Sequence, residues 1–170
     1  MKEDELVNLF SGILTEVDPR VVQRLSAGIQ QIAHYLDQEE FESFLAYFTD
    51  DSVYKITTYS AELRKEISYL DLDFRGLEVL LNGIVDHVRF PNKLIRHICP
   101  PVIHKIESER IFSTTKVAIY HVDLKGVGGL YAIGNYQDIS ESRPNSELRV
   151  IQRNVMLETR SFPFGSHLPL

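Results

Sequence analysis

Apolar side chains return every three or four residues over the first third of the chain, which predicts helices there. Leu6, Leu9, Phe10, Ile13 and Leu14 share one helical face. Asp18 followed by Pro19 reads as an N-cap with proline at the first helical position, and Val22, Leu25, Ile29, Ile32 and Leu36 carry a second buried stripe to about residue 36. Asp37, with Glu40 three residues on, fits a capping box for a third helix whose apolar face is Phe41, Phe44, Leu45 and Phe48. The polar run 49–52 should end that helix.

At Val53 the pattern changes to β-branched and aromatic residues, and 53–59 reads as a strand. One helix returns near Asp73, marked by Leu77, Leu80, Leu81, Ile84 and Val88, with Pro91 beyond its end. The remainder reads as strands over 94–107, 111–123, 129–139 and 147–159, with turns at 126–129 and 143–146. Pro100 and Pro101 interrupt the first of these. Neither can donate to a strand ladder, so they belong at an edge or bulge where the sheet bends. Helices followed by a strand meander describe an α+β domain. The expected architecture is a strongly bent, mostly antiparallel sheet forming a half-open cone closed by the N-terminal helices.

Composition narrows the class. At 170 residues, one domain spanning 1–170 is the expectation, with a core large enough to need no disulfide or metal. The single cysteine, Cys99, excludes an internal disulfide, a four-cysteine zinc site and a cysteine-held iron–sulfur cluster in this chain. Its apolar neighbours and Pro100 suggest an inert buried thiol. The net charge of −6 is uneven: residues 1–51 carry 3 basic and 11 acidic side chains, and the rest carry 15 and 13. With no basic stripe, nucleic acid is a poor partner. No apolar run approaches the roughly 20 residues that cross a bilayer, and the acidic start Met1-Lys2-Glu3-Asp4-Glu5 is unlike a signal peptide. The expected location is the cytoplasm, with no membrane partner.

Few motifs point to chemistry. Asp71-Leu72-Asp73-Phe74-Arg75-Gly76 opens like a calcium loop, but Arg75 stands where a ligand belongs and Asn82 where the bidentate Glu belongs. Acidic residues at a helix start explain it better. Gly126-Val127-Gly128-Gly129 lacks dinucleotide-loop spacing and sits in a meander, so it reads as a hairpin turn. His97 and Cys99 fall on one face of their strand and His104 on the other, which spoils a local metal site. A proton-transfer site could instead draw on His97, His121, Tyr54, Asp51 and Tyr131 if the cone brings them together, with the two histidines as base and acid. On that alternative the chain would be a stand-alone dehydratase or isomerase, or a small-ligand binding protein.

Residues 36–54, from Leu36-Asp37 through Phe41-Glu42-Ser43-Phe44-Leu45 to Asp50-Asp51-Ser52-Val53-Tyr54, resemble the signature of small (beta) subunits of aromatic-ring-hydroxylating oxygenases. Arg96-His97 and Gln152-Arg153-Asn154-Val155 with Leu157 resemble two later motifs of that family, and 159–170 is similar to the tails of a subset of it. The likeness covers roughly residues 20–170. It implies the cone fold shared by nuclear transport factor, scytalone dehydratase and ketosteroid isomerase. It also implies a structural subunit with no catalytic residues or cofactor of its own. The Rieske [2Fe–2S] cluster and mononuclear iron would lie in a large (alpha) partner, in a hetero-hexamer of three large and three small subunits or around a small-subunit trimer. Interface residues on this reading are Arg96 and, in a docking tail over 161–170, Phe162, Phe164, Leu168 and Leu170, since such an apolar tail should not hang free. The segment 59–67 and the Gly-Ser-His tail look closer to sulfonate, anthranilate or salicylate oxygenase subunits than to biphenyl or naphthalene ones.

Overall fold

A computed structural model describes residues 9–86, 92–141, 148–165 and 169–170. Helix α1 (Pro19–Gln38) starts as its sequence dictates: the Asp18 carboxylate accepts the Arg20 N–H at 2.8 Å, and Pro19 fills the first turn. It stops at Glu39, whose φ of 58° is left-handed, and the Glu40 N–H returns to the Tyr35 carbonyl at 2.8 Å. This reversal takes a single residue. Asp37 therefore lies in the last turn of α1, and the expected capping box is absent. The short α2 (Phe41–Leu45) begins after Glu40, whose side chain makes no capping bond.

Strand β1 (Phe48–Ser60) starts five residues earlier than its composition suggested. The polar run 49–52 is an irregular stretch of this strand whose flanks are fixed by pairing to the other end of the chain: Phe48 lies opposite Val150 and Val53 opposite Gln152, and the Val150 N–H donates to the Tyr47 carbonyl at 2.7 Å. Strand β2 (Lys65–Asp73) pairs antiparallel with β1 and was not expected at all. It is an edge strand wetted on both faces, so it carries no apolar alternation. Asp73 then accepts the Gly76 N–H at 2.8 Å and launches α3 (Phe74–Asp86). Val88, Pro91 and the 143–146 turn lie outside the described residues.

The edge beyond α3 is split at Pro100-Pro101 into β3 (Lys93–Ile98) and β4 (Val102–Glu107), which pair with successive stretches of β5 (Arg110–Val122). Cys99, at that break, is exposed and not the buried thiol expected from its neighbours. Strands β6 (Gly128–Glu141) and β7 (Arg149–Leu157) complete the sheet in the order β2-β1-β7-β6-β5-β3, with β4 also on β5. Only β1 and β7 run parallel among these pairs. Register shifts on β1, β5 and β6 curl the sheet, and β2 and β3 are not paired to each other, so the curl stays open.

Helices α1 and α3 close the concave face, burying Leu25, Ile29, Ile32, Leu36, Leu77 and Leu81 in one core with Ile56, Val117, Ile119 and Val155. Of the helix expected over 6–14, Leu6 lies outside the described residues, and the chain is no longer helical from Phe10 on. Gly12 is left-handed, Ile13 is 70 % exposed, and the Leu14 N–H is drawn to the Ile103 carbonyl on the β4 edge at 2.9 Å. No helix among the described residues is long and apolar enough to cross a membrane.

Candidate functional site

Alternation along the inner strands places polar side chains where a core would ordinarily be apolar. Tyr136 and Asp138 are two apart on β6, Ser113 and Thr115 two apart on β5 opposite them, and Arg153 on β7 faces Asp138. All five are essentially inaccessible to solvent. Arg153 donates from Nε and Nη2 to the two Asp138 oxygens at 2.8 and 2.7 Å, and its guanidinium lies 4.3 Å from the centre of the Tyr136 ring. Burial opposes the Arg153 charge, but the Asp138 carboxylate overrides it and holds the guanidinium more firmly protonated than usual. Burial also raises the Tyr54 and Tyr136 phenols, so both remain neutral donors.

A second buried arginine approaches from β3. Arg96 reaches into the cone, donating from Nη1 to Asp37 Oδ1 at 2.6 Å, while its backbone N–H donates to Asp37 Oδ2 at 3.1 Å. Asp37, in the last turn of α1, thus pairs with β3 and caps no helix. The Arg96 Nη2 donates to the Pro169 carbonyl at 2.6 Å, and Tyr54 Oη donates to the Leu170 carbonyl at 2.5 Å.

Those carbonyls belong to the tail, which crosses the open side of the sheet after β7. Arg160 pairs with Glu62 near the β2 edge, and Tyr69 Oη donates to the Arg160 carbonyl at 3.1 Å. Beside Arg160, the exposed Glu62 carboxyl falls to about 2. Phe162 stacks on Tyr131 with ring centres 5.3 Å apart and meets Tyr69 edge-on. Phe164 packs between Tyr131 and His121, and Tyr131 Oη donates to its carbonyl at 3.0 Å. Leu170 ends this path 4 % exposed, inside the core.

The residues weighed for proton transfer do not all meet, although His121 and Tyr131 flank the same Phe164 ring. His97 is exposed on the outer face against Tyr120, where it lines a polar cleft of about 330 Å³ with Gln30, His34 and Asp37. His121 sits on the opposite side of the sheet, packed on Phe164. Tyr54 is deep in the cone with its hydroxyl committed to Leu170, while Asp51, three residues earlier on β1, points outward. The pairing of His97 and His121 as base and acid is thus corrected: strand alternation puts them on different faces. Of the residues expected at a subunit interface, Arg96 and Leu170 are buried within this chain, Phe162 and Phe164 are half-buried against its core, and Leu168 lies outside the described residues. Among the described residues no three His, Cys, Asp or Glu side chains are grouped to hold a metal.

Asp138 and Tyr136 were not singled out from sequence, and Asp37 was read only as a helix cap and as part of the family-like motif. The signal available was the run 136–140, in which Tyr136, Asp138 and Ser140 recur at the strand's two-residue spacing on the buried phase.

No family model matches the chain. It is 39 % identical over 140 residues to the 2-aminobenzenesulfonate 2,3-dioxygenase subunit beta of Alcaligenes sp., covering 81 % of this chain and 91 % of that protein. It is 26 % identical over 148 residues to the methanesulfonate monooxygenase hydroxylase subunit beta of Methylosulfonomonas methylovora, covering 79 % of each. Among solved structures, a chain of naphthalene 1,2-dioxygenase with indole bound superposes with a TM-score of 0.78 over the full length of both, at 14 % identity.

Proposed function

The chain belongs to the beta subunits of multicomponent ring-hydroxylating and sulfonate oxygenases, and from that premise we propose that it is the structural small subunit of a sulfonate oxygenase. The observation that carries this is the 39 % identity extending over 91 % of a beta subunit. The interior is compatible with a structural role, since Arg153 is held by Asp138, Arg96 by Asp37 and the Pro169 carbonyl, and Tyr54 by the Leu170 carbonyl. Dehydratase or isomerase chemistry has no comparable support, because its two histidines lie on opposite faces.

On this reading a large alpha subunit carries the Rieske cluster and the mononuclear iron, three large and three small subunits assemble in the cytoplasm, and the holoenzyme's substrate is a sulfonate. Both curated relatives are named for sulfonates, which supports the last point. Co-expression with the large alpha subunit of such an oxygenase should yield one complex whose native mass fits three of each. Iron should follow the large subunit after dissociation, and oxygen uptake should respond to 2-aminobenzenesulfonate more than to naphthalene. Stoichiometric iron on this chain alone, or failure to co-purify with the large subunit, would defeat the reading.

A further inference from the structure

The tail satisfies only part of the donor array it covers. Arg96 Nη2 and Tyr54 Oη each meet one carbonyl, of Pro169 and Leu170. Arg96 Nε, Arg153 Nη1, Tyr136 Oη, Ser113 Oγ and Thr115 Oγ1 are buried without a hydrogen-bond partner among the described residues. These groups form one neighbourhood: Arg153 lies over the Tyr136 ring, and the charges of both arginines act on both tyrosine hydroxyls. Guanidinium N–H groups are donors only, so an apolar or donor ligand cannot pair them. A buried donor left unpaired has lost its water partner without replacement, and a cluster of them favours an occupant with several acceptor oxygens.

We propose that the cone interior is a binding site for acceptor oxygens, carbonyl or carboxylate, and that Pro169 and Leu170 are its resident intramolecular ligand. Arg96 and Tyr54 are the gripping residues, and Arg153 and Tyr136 lie behind them as further donors. A tethered ligand acts at a high effective concentration, so an external molecule meets a filled site until the tail is displaced. The tail's own side chain provides the means: Leu170 is held by the apolar core, which would expel a cation put in its place.

The probe is a labelled heptapeptide of sequence Phe-Gly-Ser-His-Leu-Pro-Leu, prepared as amide and as free acid, offered to the full chain by fluorescence polarisation. Leu170→Lys should bind one or both forms at least about 100-fold tighter than the unaltered chain, a gain of the size tethering withholds. The tighter form distinguishes carbonyl from carboxylate recognition. Adding Arg96→Gln or Tyr54→Phe should remove most of that gain. If Leu170→Lys does not fold unaided, millimolar peptide should restore its circular dichroism and a cooperative melt. A folded Leu170→Lys chain that binds no better than the unaltered one, binding that survives Arg96→Gln, or an unfolded chain that the peptide does not rescue would each overturn the proposal. None of these readouts depends on the large subunit, so its failure is separate from failure of the assembly reading.

Discussion

Asp138 and Arg153 show how much one buried pair can hold. Both side chains are almost completely withdrawn from water, and the two bonds between them are short and nearly parallel in purpose, one oxygen to each nitrogen. The Coulomb gain in such a pair roughly offsets what desolvating the two ions costs, so its presence adds little net stability over an apolar pair of the same shape. Its half-removal is another matter. Asp138→Asn preserves volume but strands a guanidinium that burial already disfavours, and should cost about 3–5 kcal/mol in urea unfolding. Replacing both residues, with Asp138→Leu and Arg153→Met, should recover most of that loss. Additive losses in the double variant would show that the two act independently and that the pairing is incidental.

At the scale of elements, close packing outweighs intrinsic propensity. Gly28 sits in the middle of α1, where alanine would ordinarily gain about 1 kcal/mol of helix preference. A Cβ there would meet Leu148 Cδ2 at 2.6 Å and its Cβ at 3.0 Å, so either the buried Leu148 side chain or the helix must shift. Overpacking of this kind costs about 1–3 kcal/mol, and Gly28→Ala should lower the melting temperature; a rise would mean that α1 can shift away freely. The same contrast explains what was readable along the chain. Helix α1 was legible because Asp18, Pro19 and the apolar stripe all act locally. Strand β2 was not, because an edge strand open to water needs no apolar phase. Asp37 misled because its sequence neighbours suit a cap while its partner, Arg96, lies 59 positions away. The site was harder to read for the reverse reason: histidines drew attention, whereas the buried charge lies in Arg96, Asp138 and Arg153, among serines and threonines.

Across the whole molecule, the sheet remains open between the β2 and β3 edges, and the tail is what spans the gap, tied to Glu62 and Tyr69 at one side and to Arg96 at the other. The two ends of this strap differ in kind. Leu170 is anchored by burial, so Leu170→Ala should cost roughly 2–5 kcal/mol, whatever the pH near neutrality. The Glu62–Arg160 pair is exposed, and salt screens it. Because the Glu62 carboxyl is held at about 2, below its ordinary 4.5, its contribution is complete above pH 4.5 and is lost as pH falls toward 2. The gap in melting temperature between the unaltered chain and Glu62→Gln should therefore be small but measurable at pH 6 in low salt, shrink on adding about 0.5 M NaCl, and close on acidification through that window. A gap that persists at pH 2 or ignores salt would mean that Glu62 stabilises the strap through packing instead of charge. In either event the buried end dominates, which makes the strap a feature of this subunit's own fold before it can serve any contact with a partner.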